Sequence, residues 1–476
     1  MTEEQEQGMK RQWFWWRMAV RYGIAAVVFV FFLTTSLHFG YTPDETYIFL
    51  QRGKEIAQGG GFSAEAMSQG SGFTASLWVL LIAGGTKLGL DPYIVAKTLD
   101  MMFASFSILA ILGFAFIVIR DHVYALVAAW MYSFDAWVLR WSGSGLDTSV
   151  GTLLTVLALW YTYRKEYIPA SLVAALLTLV RVEWGSLFVV ILADLIINGS
   201  NRSVRLKMTA GSLFVYAVVV GSWVVVSLGL GGTLSGSLPG GTGFGAMLNS
   251  PGRLMLRGLT VIGGTQLVML LALLAGVAVA FKRFGWHAVQ DDGLPMLWIL
   301  LLPLILLLTG QDLGSRALLP VIPLIIVYGA WGVKKIEIGT MMPTRRGLLM
   351  LTTVAIISLA QNQVVYHRWI RPHMDNVELG VNECLKPMGY WLRSHAPAGS
   401  TVLSPEIGVV GYVSGRKVLP GVREPIERCD YVITRSSSPA VVSVPNMKPV
   451  MTRPFPGLAV MKPETSYYTL YEVVRP

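Results

Sequence analysis

The sequence predicts a polytopic α-helical membrane protein that carries a small soluble α/β domain at its C-terminal end. Three observations predict it. Hydrophobic residues make up 53% of the 476-residue chain and charged residues only 14%, against about 25% charged in soluble domains. Windows such as MAVRYGIAAVVFVFFLTTSL, LVMLLALLAGVAVAF and LPMLWILLLPLILLLTG approach or reach the ~20 apolar residues that span a bilayer as a helix. From about Val365 the long apolar runs give way to short helical and strand-like patterns.

Basic loops set the orientation, because Lys and Arg gather on the cytoplasmic side. They are Lys10–Arg21, YRKEY at Tyr163–Tyr167, NRSVRLK from Asn201, FKRF from Phe281, Lys334-Lys335 and Arg345-Arg346. These loops carry much of the net charge of +10, so it implies no nucleic-acid partner. The N-terminus lacks a small-residue cleavage site and predicts a retained first span, Met18–Leu37, leaving from the cytoplasm. An external loop, residues 38–73, follows. A second span over Thr74–Leu90 returns and a third over Ala96–Ile119 exits.

Full crossing by VYALVAAWMYSFDAWVL would then put YRKEY outside, against the basic-loop rule. A re-entrant pair of short helices removes the conflict and leaves SGSGLDTS outside. Ile168–Ile197 reads as two short helices meeting at Arg181–Glu183, and later spans start near Met208, Val261, Leu294, Ala317 and Leu348. The expectation is about eleven crossings plus the re-entrant pair, a transmembrane module over residues 1–365 and an extracytoplasmic domain over 366–476. Gly229–Arg253 is a Gly-rich external loop, and Cys384 and Cys429 allow a disulfide without requiring one.

Four charged clusters fall on the outer side. In TPDET, Asp44 and Glu45 fit the first turn of a helix, with Thr42 as a cap and Pro43 at the first helical position. Capping explains these carboxylates. The functional reading, compatible with it, is that one of them serves as a general base in an outward-facing site, where a helix first turn would hold Asp44 in place. In SGSGLDTS, Asp147 fits an N-cap. In LLTLVRVEWGSLF, Arg181 and Glu183 sit among apolar residues, where ionisable groups default to function or to mutual pairing. In LTGQDLGSRALLP, Asp312 and Arg316 fit an i,i+4 pair. Together they outline an outward cavity suited to a ligand with hydroxyls and phosphate, since Arg pairs bidentately with phosphate. The six histidines show no metal-ligand spacing, and no Gly-rich phosphate loop follows a strand. The sequons at Asn198 and Asn201 fall on the cytoplasmic side.

In order along nearly the whole chain, the motifs resemble those of the GT-C superfold glycosyltransferases, nearest the bacterial arabinofuranosyltransferase-like branch. DETYIF (Asp44–Phe49), QGGGF (Gln58–Phe62) and GFTASLW (Gly72–Trp78) resemble that family's acidic stretch, Gly-rich turn and second-span opening. SGLDT (Ser144–Thr148), VRVEWG (Val180–Gly185), GQDLGSRALLP (Gly310–Pro320) and IGVVGYVSG (Ile407–Gly415) resemble its later motifs. Departures are Glu45 for Asp, Gln51 and Lys54 for Arg, Ala75-Ser76 for Ser-Pro or Asn-Pro, and Val182 for Pro. They put the donor-sugar contacts in doubt, so arabinose specificity is not carried over.

The resemblance implies an inverting transferase of the bacterial cytoplasmic membrane. Such an enzyme moves a sugar from a polyprenyl-phosphate donor to an envelope glycan or lipid acceptor on the non-cytoplasmic face. Asp44 would be the base. Glu45 and Asp147 would hold sugar hydroxyls or support the base, and Arg181 and Arg316 would meet phosphate. Lys54, Glu183 and Asp312 would complete the substrate site. No cofactor is implied, and a divalent cation has no ligand cluster to support it. The alternative is a transporter or lipid flippase, but the internal repeat common in transporters is not visible.

Overall fold

The computed structural model describes residues 23–60, 75–199, 202–229, 251–285, 287–309, 313–420, 429–440, 446–457 and 464–474. The N-terminal basic segment, the Gly-rich loop after Gly229 and Asp312 lie outside them. Five described helices are long and apolar enough to cross a membrane: Pro92–Ile119 (α4), Arg202–Val226 within α10, Met255–Phe284 within α11, Ser315–Gly339 (α13) and Thr344–His395 (α14). Shorter helices fill the gaps. They are Gly23–Ser36 (α1), Asp44–Ala57 (α2), Ser76–Lys87 (α3), His122–Ser133 (α5), Ala136–Trp141 (α6) and Thr148–Tyr163 (α7). Tyr167–Val180 (α8), Leu187–Asn198 (α9) and His287–Leu308 (α12) complete the bundle.

Side-chain contacts distinguish its two ends. At the first, the Lys97 ammonium near the start of α4 donates to the carbonyls of Tyr41 and Gly143, and the Tyr93 hydroxyl donates to the Phe39 carbonyl. At the other, Lys334 near the end of α13 donates to Asp121 Oδ2 (3.1 Å), and the Tyr124 hydroxyl to Glu337 Oε2 (2.6 Å). The Tyr163 and Tyr328 hydroxyls meet at 2.8 Å.

This arrangement corrects two expectations. The span expected over Thr74–Leu90 does not traverse the bundle. α3 has 12 residues, about 18 Å of helix against a hydrocarbon core of about 30 Å. The Ala75 amide at its start donates to the Val180 carbonyl, and the Trp78 indole donates to the Gly145 carbonyl (3.0 Å). The start of α4, just beyond its far end, is at Tyr41. Both ends of α3 therefore lie at the Asp44 end of the bundle.

In consequence α4 runs away from Asp44 rather than toward it. α5 and α6, broken at Phe134–Asp135, run back the full length in place of a re-entrant pair. The two misreadings cancel, so SGSGLDTS still lands beside Asp44. Their common cause is that Trp78, Val79, Ile82 and Ala83 are apolar because protein buries them, and composition alone does not distinguish this from lipid contact.

The chain ends in a five-stranded sheet of order β2-β1-β3-β5-β4, formed by Thr401–Ser404 (β1), Lys417–Pro420 (β2), Tyr431–Ser436 (β3), Met447–Phe455 (β4) and Ser466–Val473 (β5). β1 pairs in parallel with β2 and β3, while β5 lies antiparallel between β3 and β4. The parallel β1–β2 pair requires a crossover, supplied by Ile407–Ser414 (α15). Residue 366 falls inside a helix continuous from Thr344 to His395, interrupted in geometry by π-turns at Tyr366–Ile370 and Val381–Leu385. Both cysteines are buried, and they are not joined in a disulfide.

Candidate active site

The short crossover helix α15 positions Asp44. Thr42 does not cap α2, because its hydroxyl donates to the Gly40 carbonyl, and Pro43 takes the N-cap position in extended conformation. Asp44 instead caps α15 from 364 residues away: the Gly408 amide donates to Oδ2 (2.9 Å) and the Val409 amide to Oδ1 (2.7 Å). A helix N-terminus favours a carboxylate through its free N–H groups and its dipole. α15 packs on α2, with the Tyr47 and Tyr412 rings 5.7 Å apart.

The close fit needs Gly408. A Cβ there would meet the Asp44 carbonyl oxygen at 2.0 Å, a distance real Cβ atoms do not adopt. Gly408→Ala is expected to push α15 off α2 and to cost about 1–3 kcal/mol of stability, as overpacking does. Thermal unfolding of the purified variant measures it.

Asp44 is half-buried and Glu45 exposed. Burial, together with the neighbouring Glu406 carboxylate, pushes Asp44 up to about 7, against the opposing pull of the two amides. Glu406 is itself raised by burial, although its Oε1 accepts from the Tyr468 hydroxyl (2.9 Å), and Glu45 raises it further. Three carboxylates thus share one region at the Asp44 end.

Facing them is an ion cluster built from three of the other predicted motifs. Asp147 is 1% exposed, with Oδ1 accepting from Arg316 Nη2 (2.7 Å) and Oδ2 from Arg181 Nε (3.2 Å). Arg181 Nη1 also donates to Glu183 Oε1 at 3.3 Å. Burial opposes ionisation of Asp147, but the two guanidiniums win and hold its carboxyl below the usual range. Arg316 lies 5.7 Å from the centroid of the Phe49 ring on α2, and its buried Nε has no hydrogen-bond partner among the described residues.

Tyr41 joins the two groups. Burial raises its hydroxyl while Arg140 lowers it, with Arg140 Nε donating to that oxygen at 3.1 Å; Glu45 and Arg316 also act on it.

The turn after α6 is fixed by side chains from three helices. Asp100 Oδ2 accepts from the Gly143 and Gly145 amides, both at 2.9 Å, and the Gly145 carbonyl accepts from Trp78. The Thr46 hydroxyl donates to the Ser144 carbonyl. Gly145 has φ +83°, and a Cβ there would lie 2.8 Å from the Thr46 side chain. The turn sets the start of α7 and hence Asp147.

Lys54 does not join the site. It is exposed in the last turn of α2, about 15 Å along the helix from Asp44. The sequence reading missed Arg140, Glu406, Lys97 and Asp100. Lys97 and Asp100 stand out in an otherwise apolar helix and were legible by the rule already applied to Arg181. Glu406 directly precedes the IGVVGYVSG motif. Among the described residues no three His, Cys, Asp or Glu side chains are arranged to hold a metal ion.

No protein-family model and no curated protein matches the chain. Solved structures do. The mycobacterial arabinofuranosyltransferase AftD covers 96% of this chain at 16% identity and a TM-score of 0.55, and the chain spans 40% of that protein's length. ArnT from Cupriavidus metallidurans, bound to undecaprenyl phosphate, covers 95% of this chain and 97% of its own at 12% identity and a TM-score of 0.55. The Archaeoglobus fulgidus oligosaccharyltransferase covers 86% of this chain and 67% of its own, at 12% identity and a TM-score of 0.54. Such identities carry the fold and nothing finer. The chain has the GT-C membrane-protein fold of these three transferases.

Proposed function

We propose that the protein is a membrane glycosyltransferase that takes a sugar from a polyprenyl-phosphate donor and places it on an envelope glycan or lipid. The observation that carries this reading is the juxtaposition of an amide-held Asp44 with the Arg181–Asp147–Arg316 cluster across Tyr41. The undecaprenyl phosphate bound to the structurally similar ArnT supports the choice of donor.

In the reaction, Asp44 takes the proton of the acceptor hydroxyl while that oxygen attacks the anomeric carbon. The bond from that carbon to the donor phosphate oxygen breaks, configuration inverts, and polyprenyl phosphate leaves with the bonding pair. Each carboxylate oxygen has two lone pairs, so Asp44 has capacity for the acceptor while the amides hold it. Arg316, with its Nε unpartnered among the described residues, and Arg181 stabilise charge developing on the departing phosphate. Such preorganised electrostatic help is usually the largest catalytic term. Glu45 and Glu183 are assigned to sugar hydroxyls, as is Asp312, which lies outside the described residues. No role is assigned to Lys54, which stands away from the site, and no cofactor is assigned. Arg120, Lys165, Lys334 and Lys335 at the opposite end favour a cytoplasmic position for that end. Asp44 and the sheet then face outward from the bacterial cytoplasmic membrane.

The test is release of polyprenyl phosphate from a panel of synthetic polyprenyl-phosphate sugars, with crude envelope acceptors and purified protein. No transfer from any donor, together with movement of labelled lipid across liposomes, would replace the enzyme with a transporter.

The base works only when deprotonated. With Asp44 near 7, transfer should fall about tenfold per pH unit below that value and level off above it. Glu406→Gln removes a negative neighbour that raises Asp44, so the acid limb should move to lower pH. A pH–rate profile with an unmoved limb would exclude this coupling.

A further inference from the structure

The end of the bundle opposite Asp44 holds a cavity that the proposed reaction does not use. It measures about 630 Å³, within the range of small-molecule sites. It lies among the ends of α4, α7 and α13, with α9 and α12 closing its sides. Four basic residues line it, Arg120, Lys165, Lys334 and Lys335, against one acid, Asp194, with Trp331 on the apolar wall.

Pairing of these charges is uneven. Lys165 Nζ reaches Asp194 Oδ2 at 3.2 Å, and Lys334 Nζ reaches Asp121 and Glu337. Arg120 and Lys335 make no ion pair among the described residues. Lys335 Nζ rests 5.1 Å from the centroid of the Trp331 ring.

The backbone supplies a second, independent observation. Arg120 (φ 57°) and Lys165 (φ 59°) both occupy the left-handed region, each just past the end of a helix. Glycine is the usual residue at such a stop because a Cβ is disfavoured there. A helix that needed only to end would be better served by glycine at either place. The chain instead keeps two long basic side chains in strained conformations, both lining the same cavity. Backbone strain of this kind concentrates at ligand sites.

We propose that this cavity binds the phosphate head group of an anionic lipid. Arg120 and Lys335 meet the phosphate, Lys165 and Lys334 add to the positive field, and the apolar wall about Trp331 takes the first carbons of the lipid. Basic pockets between membrane helices at the cytoplasmic side suit such head groups. In the orientation proposed above, this end meets the anionic leaflet. The site itself does not depend on the transferase reading.

Native mass spectrometry of the full chain in detergent tests it, with phosphatidylglycerol against phosphatidylcholine. A basic residue near an anionic lipid contributes about fivefold, so the double variant Arg120→Gly/Lys335→Gln should bind phosphatidylglycerol about thirtyfold more weakly. Arg120→Gly relieves the strained backbone, so Arg120→Gly alone should melt no lower than wild type and still lose about fivefold. Arg345→Ala/Arg346→Ala, at the same end but outside the cavity, should bind as wild type does. Equal binding of the two lipids, or unchanged binding in the double variant, would overturn the site. Inorganic phosphate binding there, with phosphatidylglycerol unable to displace it, would overturn the lipid and assign the cavity to a soluble phosphate compound.

Discussion

Asp44→Asn is expected to lower sugar transfer by about 10²–10⁴-fold, the usual contribution of a general base, with the KM for the donor changed only a few-fold. The substitution has a structural side as well. The Gly408 and Val409 amides each bond a different carboxylate oxygen, and Asn replaces one of those oxygens with an NH₂ group, so one amide then faces a donor. Leaving that buried amide without an acceptor costs about 1–3 kcal/mol. Thermal unfolding run beside the transfer assay separates the two effects. A fully folded variant without transfer assigns the base, whereas equal transfer by the two proteins removes Asp44 from the chemistry and passes the role to Glu406 or Glu45.

Asp147→Ala should have the largest effect on stability. It strands the Arg316 guanidinium and leaves Arg181 only its contact to Glu183, where one buried carboxylate now serves both arginines. Breaking a buried pair from one side costs about 3–5 kcal/mol. The side chains of Arg181 and Arg316 retain 16% and 18% exposure, which places the expectation at the lower end, about 3 kcal/mol. That is a large fraction of a typical folding free energy of about 5–15 kcal/mol. The freed arginines should also bind phosphate more tightly, so added polyprenyl phosphate should raise the melting temperature of the variant more than that of wild type. An unshifted melt in the variant with the ligand would remove the two arginines from phosphate recognition.

Much of this site was legible because ionisable residues in apolar surroundings are costly and therefore conspicuous. Arg181 and Glu183 stand out in this way, Asp147 as a candidate cap after a Gly-Ser turn and Arg316 as half of an i,i+4 pair with Asp312, and the structure joins all four in one cluster. Their partners were not legible. The Asp147–Arg316 pair spans 169 residues, and no local spacing encodes it. The same holds for Asp44, whose sequence suits the start of its own helix while its carboxylate caps another. Apolar periodicity marked the long helices well and failed at α3, where burial by protein produces the same composition as burial by lipid. Lys97 and Asp100 show the opposite failure. The signal was present and was absorbed into a span read as purely hydrophobic.

The continuous helix from Thr344 to His395 governs how the sheet can move. At about 78 Å for 52 residues, it is far longer than the bilayer core, so the sheet is mounted on a shaft rather than hung on a tether. The π-turns of Tyr366–Ile370 and Val381–Leu385 are the places where such a helix bends most readily. A cap mounted in this way does not swing aside as a lid on a flexible strap would. In the proposed reaction an acceptor would therefore reach Asp44 from the flank, or when the first turn of α15 lets go. Sideways force on the sheet is delivered through the shaft directly to the bundle.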